Sequence, residues 1–470
     1  MTEEKPSIKT SKRALFGLSA IPDQLTYQSF TILVFTFYFA VVGIPVLLVM
    51  GAYIVWGIWN ALNDPLLGAL SDRTKYKKRL GRRKFYLIIS MIPLSLIMIL
   101  LFSVPIGNEL IAFIYFLVII LTFELIYTMW SVNVNSVFPE QFPTEEERAK
   151  TNIFVKLFTI IAVICASLIP TIIISPLVPT EANPTQSTRV HFQMMYLTAG
   201  LILAIIIFIA AIIFITKGVE EKEQDTSAFE NRPSFKDSLK FTLRNKTFLK
   251  FTLANMCIWY CFTTLLTALP LYATWVLGIK GQTLLIGIAL MFCLLIAAFV
   301  LPLHMKLGQK IGMRNGLMLT LGLWICLLFP FFLLGSNMIM LGIIIIAIQG
   351  IALGGALFYV DILIGDVIDS DEVEFGIKRS ASYYGINAFI HRFSQIFSII
   401  TIALIFQGTG WSSYEPNPGT NIILGLKLIM FLFPAIALTI GILFLKLFNL
   451  HGDKLKEMRS KLEQIHSKTK

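Results

Sequence analysis

The chain has 470 residues, of which 56% are hydrophobic and 14% are charged, and its mean hydropathy is +0.76. Because this is more apolar surface than one soluble core can bury, the composition excludes a soluble globular protein and predicts a polytopic membrane protein. We interpret the formal net charge of +11 as a signal of membrane topology, with contacts to anionic lipid head groups as a secondary effect, and not as a sign of nucleic-acid binding.

Twelve stretches of the chain are long and apolar enough to cross a bilayer as helices, which takes about 20 residues each. We therefore expect an all-α membrane protein. The first six predicted spans lie at residues 15–43, 45–71, 84–105, 109–138, 151–175 and 190–216. The last six lie at residues 247–277, 283–305, 314–335, 338–368, 380–407 and 421–448.

The two sets of six spans indicate an internal duplication. The sequence Gly-Arg-Arg at 81–83 follows span two, and a reduced form of it, with Gly312 and Arg314, follows span eight. Apolar side chains recur at helical spacing over residues 235–243, which predicts an amphipathic helix at the membrane surface. We expect an N-terminal six-helix half at 1–216, a cytoplasmic linker containing this helix at 217–246, a C-terminal six-helix half at 247–449 and a basic cytoplasmic tail at 450–470.

Lysine and arginine in the connections predict the orientation of the spans. The segment before span one, the link between spans two and three, and the central linker are rich in both residues. The links on the opposite side contribute only Arg189 and Lys280. Because positively charged loops stay in the cytoplasm, we expect both termini to be cytoplasmic in a multi-pass protein of the plasma membrane.

The most informative residues are the polar ones inside span two. Asn60, Asn63 and Asp64 occupy helical positions i, i+3 and i+4, so their side-chain oxygens share one face of the helix. Asp64 lies about 12 Å deeper in the span than Asp72, where a carboxylate is costly unless it has a function. Carboxylate and amide oxygens suit a small cation. The alternative is that Asn63 and Asp64 only cap a kink at Pro65.

Five more ionisable residues are expected within spans: Asp23, Glu124, Lys156, Asp361 and Arg392. Spans four and five correspond under the duplication to spans ten and eleven, so each half offers one acid and one base. We expect the ion pairs Glu124 with Lys156 and Asp361 with Arg392, beside a polar central cavity. Alternatively, Lys156 extends its ammonium group to the membrane interface, and Asp361 belongs to a fixed bridge between helices that touches no ligand.

Three motifs carry a resemblance to a known family. They are Asn60-Ala-Leu-Asn63-Asp64-Pro65 in span two, Glu145-Glu-Glu147-Arg148 after span four, and Gly365-Asp366-Val-Ile-Asp369-Ser-Asp371-Glu372 with Gly376-Ile-Lys378-Arg379 after span ten. With twelve helices in two halves, the chain resembles the major facilitator superfamily and, within it, the glycoside-pentoside-hexuronide:cation symporters. The resemblance implies a solute site between the halves near the bilayer midplane, and alternating access by rocking of one half against the other.

The resemblance also implies roles for individual residues. It places Glu124 at the family's sugar-binding carboxylate in span four, and Lys156 and Arg392 at basic residues of spans five and eleven. In span one, Asp23 and Gln24 stand where the family has a lysine and an aspartate. The exchange of an aspartate for Gln24 argues against a galactoside-like solute.

Two further features of the spans bear on the solute and the ion. We interpret Tyr27 and Thr128 as side chains that stack on or bond to a polyol, with helix packing as the alternative.

At Asn60 the family pattern has a second aspartate that helps to hold sodium. One carboxylate, Asp64, still neutralises one monovalent ion, so both H+ and Na+ stay open as the coupling ion.

Charged residues at the ends of spans predict a gate. Asp72 and Arg73 after span two resemble the superfamily's cytoplasmic gate, in which a carboxylate at one helix end meets a neighbouring helix or the opposing half. Glu372 and Arg379 after span ten are expected to close the same face. The alternative is that both segments are solvated loops that only set topology.

These expectations together indicate a secondary active transporter and not an enzyme. We expect symport of a sugar, a glycoside or another small polar solute with H+ or Na+, by a monomer surrounded by membrane lipids. A branch of the family carries lysophospholipids, so a lysophospholipid stays open as the solute. A non-transporting membrane sensor or scaffold is a further alternative, although the retained intramembrane charges argue against it. The sequence has no nucleophile elbow, phosphate loop or metal-ligand cluster, and we expect neither a cofactor nor a bound metal.

Overall fold

A computed structural model of the protein describes residues 9–73, 81, 83–142, 144–181, 184–220, 242–375 and 379–468. Eleven of the described helices are each long and apolar enough to cross a membrane, and a bent pair of helices gives a twelfth span when the pair is counted as one. A helix satisfies its own backbone hydrogen bonds, which is why apolar stretches in lipid are helical. The prediction of an all-α protein with twelve spans is confirmed.

The first six spans begin and end close to where the sequence places them. Span one consists of Thr10–Gly17, Ala20–Thr36 and the π-helix Phe37–Val42, and spans two to six are Val46–Arg73, Arg83–Leu100, Glu109–Gln141, Glu145–Ile173 and Gln186–Ile213. A second π-helix, Phe214–Gly218, continues span six.

The last six spans agree with the prediction equally well. They are Lys246–Trp275, Leu284–Phe299 with Leu301–Ile311, Met313–Leu328 with Pro330–Leu333, Ile339–Phe375, Ser380–Thr409, and Thr420–Met430 with Leu432–Lys446. The two parts of span eight meet at 43°. Pro302 stands at the start of its second part and lacks the N–H that would continue the hydrogen bonds of the first.

Polar residues fix where four of the spans begin. The side chains of Asn108, Thr144, Thr185 and Asn245 each accept hydrogen bonds from backbone N–H groups in the first turn of spans four, five, six and seven. These bonds satisfy donors that have no partner inside the helix. The start of these spans therefore follows from single polar residues at the edge of an apolar run.

The chain forms two compact units. The first comprises Met1–Arg232, Lys280–Gly287 and Ser413–Pro416, and the second comprises Pro233–Ile279, Ile288–Ser412 and Asn417–Lys470. In the first unit span one packs against span five, and span three against span six. In the second unit span seven packs against span eleven, and span nine against span twelve. This equivalence of packing is what an internal duplication produces.

Two predicted segments outside the spans have different outcomes. Most of the amphipathic helix expected at 235–243 lies outside the described residues. The tail, expected only to be basic, contains a helix at Asp453–Lys468, which we call the tail helix. The tail helix packs against span ten in the second unit and buries Met458.

Candidate functional site

Two amides on one face of span two are buried in the first unit. Asn60 and Asn63 are each 1% exposed. Asn63 Nδ2 donates a hydrogen bond to the backbone oxygen of Glu124 in span four, at 3.1 Å. The side chain of Asp64, the third member of the predicted cation site, lies outside the described residues.

The surroundings of Asn63 bear on the alternative that this motif only repairs a kink. Span two is helical from Val46 to Arg73, through Pro65. The Asn63 amide group bonds to another span and not to a freed carbonyl of its own helix. Oδ1 is the Asn63 atom that can act as a ligand of a cation, because the amide nitrogen is a donor only. Both interpretations of Asn63, cation binding and repair of a kink, stay predictions.

Glu124 has the most buried carboxyl group of the predicted solute residues. It is 0% exposed, and so is Thr128, one helical turn later in span four. Thr128 Oγ1 donates to Glu124 Oε1 at 3.2 Å. The structure thus brings together Glu124, Thr128 and the amide face of span two, all of which the sequence singled out.

Span one contributes an acid, an amide and an aromatic ring. Gln24 Nε2 donates to Asp23 Oδ2 at 2.8 Å. The ring of Tyr27 lies 5.1 Å from that of Tyr127, and Tyr127 stacks in turn on Phe123 at 5.9 Å. Tyr27 is only half-buried, so it combines a packing contact with a surface that remains open.

The predicted acids and their predicted basic partners differ in how exposed they are. Lys156 is exposed, whereas Glu124 is fully buried. Exposure of Lys156 is the arrangement expected when a lysine extends to the membrane interface. Asp361 is exposed and Arg392 is half-buried. Both expected ion pairs therefore stay predictions.

A buried arginine joins the ends of spans two, three and four. Arg83 is 1% exposed, and its Nη1 atom donates to Ser71 Oγ at 2.8 Å. Ser71 Oγ donates to Asn133 Oδ1 at 2.6 Å, and Arg83 Nη2 lies 3.5 Å from Glu140 Oε1. The side chains of the predicted gate residues Asp72 and Arg73 lie outside the described residues.

The predicted gate residue Arg379 binds a neighbouring acid that the sequence did not single out. Its Nε and Nη2 atoms donate to the two oxygens of Asp371, at 2.8 and 2.6 Å. Tyr383 donates to Asp371 Oδ1 at 2.8 Å. The hydrogen bonds from Arg379 to Asp371 raise the pKa of the guanidinium group. Glu372, the acid chosen from the sequence, is half-buried beside this pair.

Asp366, in the same acidic motif, binds the tail helix. Arg459 Nη2 donates to Asp366 Oδ1 at 2.9 Å, and Asp366 is 5% exposed. The motif after span ten therefore provides two buried carboxylates, each with an arginine partner. The sequence shows a run of acids here, but which of them point inward depends on packing that the sequence does not reveal.

Comparison with known proteins gives relatives over the full length of the chain. A symporter of uncharacterized specificity from Bacillus subtilis, YjmB, is 23% identical over 98% of this chain and 97% of its own. A sodium-dependent lysophosphatidylcholine symporter from Gallus gallus is 20% identical over 87% of this chain and 81% of its own. The crystal structure of the nucleoside transporter NupG superposes with a TM-score of 0.64 at 14% identity and covers 93% of this chain and 99% of NupG.

The family profile described as MFS/sugar transport protein matches residues 15–452, which is nearly the whole chain. The structure of this chain has the major facilitator fold that the sequence predicted. The match extends through both compact units. The chain therefore belongs to the MFS/sugar transport family and is a membrane transporter, not an enzyme.

Proposed function

We propose that this protein is a secondary active transporter that carries a sugar, a glycoside or another small polar solute together with H+ or Na+ by alternating access. The observation that carries the proposal is the burial of Glu124, Asn60 and Asn63 in contacting helices of the first unit. Such polar groups within a span are costly and usually serve transport. Full-length relatives that are named symporters support the same conclusion.

The proposed cation site consists of Asn60, Asn63 and Asp64. One carboxylate neutralises one monovalent cation, and amide oxygens supply further ligands of the kind that Na+ prefers. Asn60 stands where the family pattern has a second aspartate, so the site has one negative charge instead of two. A buried carboxylic acid can also bind a proton, and for this reason the proposal covers both ions.

The proposed solute contacts lie in the membrane spans. They are Asp23, Gln24, Tyr27, Glu124, Thr128, Lys156, Asp361 and Arg392. Hydroxyl-rich solutes need carboxylate and amide acceptors, and the burial of Glu124 beside Thr128 supports this assignment best. We propose Asp72, Arg73, Glu372 and Arg379 as gate residues. The bidentate bond of Arg379 to Asp371 supports a role in holding the end of span ten, on which Glu372 lies.

The proposed setting is the plasma membrane, with both termini in the cytoplasm and lipid around the helices. The excess of lysine and arginine in alternate connections supports this orientation. Large apolar side chains such as Leu66, Leu110 and Leu303 are at least 60% exposed, as expected for surfaces that face lipid. We propose a monomer as the working unit.

A lysophospholipid is the second candidate solute. It is supported by the similarity to the sodium-dependent lysophosphatidylcholine symporter of Gallus gallus, over 87% of this chain. The sugar assignment is supported by the description of the family profile, MFS/sugar transport protein. The two candidates share the fold and differ in what the solute site must bind.

The test is uptake into proteoliposomes. Labelled sugars, glycosides and lysophosphatidylcholine are offered with sodium and pH gradients imposed separately, and protein-free liposomes and gradient-collapsing ionophores serve as controls. We expect a sugar or glycoside to accumulate above equilibrium with one of the two gradients. Accumulation of no solute with either gradient would contradict symport, and accumulation of lysophosphatidylcholine alone would select the second candidate.

A further inference from the structure

Spans seven and eleven of the second unit run side by side and are joined by polar side chains, which we call the 7–11 seam. Thr252 Oγ1 and Asn255 Nδ2 both donate to Asn387 Oδ1, at 2.7 and 3.1 Å. Further along, Thr264 donates to Ser398 at 2.9 Å and Tyr260 to Thr401 at 2.8 Å. Polar residues therefore line this contact from the start of span seven to beyond its middle.

The middle of the seam is occupied by a pair of rings. The rings of Trp259 and His391 stack with centroids 5.0 Å apart and planes inclined by 26°. Both side chains are only half-buried, whereas Trp56, Trp130, Trp324 and Trp411 are each at most 1% exposed. The ring pair thus presents uncovered surface between two hydrogen-bonded parts of the seam. Of the other tryptophans, Trp59 is also half-buried.

Two buried amide oxygens along the seam accept no hydrogen bond from the described part of the chain. They are Asn255 Oδ1 and Gln395 Oε1, in side chains that are 2% and 9% exposed. Gln395 follows His391 by one helical turn, as His391 follows Asn387, so these three side chains form one stripe on span eleven. A buried acceptor without a donor costs about 1–3 kcal/mol, which a hydroxyl group placed there would relieve.

We infer that Trp259, His391, Asn255 and Gln395 form a subsite of the second unit for a ring-shaped polyol. The inference rests on the proposed transport function and identifies the chemistry of its solute. The apolar face of a sugar ring packs on the ring pair, and its hydroxyl groups donate to the amide oxygens. Lysophosphatidylcholine has one free hydroxyl group and its trimethylammonium group has no donor, whereas a sugar ring has several hydroxyl groups, so two acceptors along the seam suit a sugar better.

The experiment compares variants in proteoliposomes, with the sugar or glycoside that wild-type protein accumulates. Trp259→Ala should raise the KM for uptake about tenfold, through lost stacking and burial. Gln395→Leu, which removes the acceptor at similar volume, should raise it about fivefold or more. Two controls should leave KM unchanged: Tyr260→Phe removes a hydrogen bond within the seam, and Trp275→Phe replaces a buried tryptophan of the same span.

A second measurement does not require that the Trp259→Ala variant folds. Trp259→Phe retains an aromatic ring and should transport with nearly wild-type KM, but it should lose most of the solute-induced change in tryptophan fluorescence. Trp275→Phe should retain that change. If wild-type protein takes up the sugar while Trp259→Ala and Gln395→Leu keep its KM, the subsite is wrong and the transport function stands. If wild-type protein accumulates no sugar, the proposed function itself fails.

Discussion

The two units place their buried acids at different depths. In the first unit Glu124 lies in the middle of span four, beside a threonine hydroxyl and the amide face of span two. In the second unit Asp366 and Asp371 lie near the end of span ten, and each binds an arginine. Asp361, the intramembrane acid that the sequence predicts in span ten, is exposed. The fully buried acid of the first unit is thus mid-span, and the buried acids of the second unit are paired with arginine near a span end, as the half-buried Glu140 of the first unit also is.

This difference separates two uses of a buried carboxylate. An acid that is paired with an arginine at a helix end holds helices together, and removal of one partner leaves the other charge buried. A mid-span acid among hydroxyl and amide groups is costly to bury and usually serves transport. Substitutions of the acids paired with arginine should therefore change stability. Substitutions of the mid-span acid should change transport.

The largest expected effect is at Asp64. Asp64→Asn removes the carboxylate of the proposed cation site and should abolish accumulation driven by either gradient. Exchange of solute across the membrane at equal concentrations should persist, because exchange requires no net movement of the ion. Counterflow and gradient-driven uptake, measured on the same proteoliposomes, check both parts. Full accumulation by this variant would remove Asp64 from the coupling site.

Glu124 and Asp361 test the comparison directly. Glu124→Gln keeps the shape of a fully buried side chain but removes its charge, and we expect solute affinity to fall about 10- to 100-fold. The matched variant Asp361→Asn should change affinity less, because its carboxyl group is exposed. Equilibrium binding of the transported solute measures both. Equal losses would show that the two halves contribute alike and that the asymmetry of burial has no functional meaning.

The sequence was sufficient for the fold but only for part of the site. Runs of about 20 apolar residues can only be helices in lipid, so the bounds of the spans followed from composition. Glu124 was also visible as an ionisable residue inside a span, and Thr128 as a hydroxyl group in the same span. The bond from Asn63 to the Glu124 carbonyl was not visible, because it depends on how span two is positioned against span four.

The same limit explains the residues that were missed at the helix ends. Arg83 is one of many basic residues in the link between spans two and three, yet it is buried with Ser71 and Glu140. Similarly, Asp371 and Glu372 are adjacent acids, and only the packing of span ten decides which of them reaches Arg379. Charge counting cannot distinguish neighbours that point in different directions.

Arg379 should be important for stability. Arg379→Ala leaves Asp371, which is 1% exposed, without its bidentate partner, and we expect a loss of about 3 kcal/mol in stability. Thermal unfolding in detergent measures the change. The double variant Arg379→Ala with Asp371→Asn should recover much of the loss, because it removes the stranded charge. No recovery in the double variant would mean that the pair itself is not the source of the stability.

The smallest expected effect concerns the tail helix. Arg459 is half exposed and bonds to the buried Asp366, so Arg459→Ala should cost about 1 kcal/mol and loosen the tail helix from span ten. Hydrogen exchange should then quicken over Asp453–Lys468 with little change in the spans. Lys461→Ala is the matched control, because Lys461 pairs with the exposed Glu457 of its own helix. If both variants quicken hydrogen exchange equally, the tail helix is held by its apolar face at Met458. The bond between Arg459 and Asp366 then contributes nothing measurable, in contrast to the bond between Arg379 and Asp371.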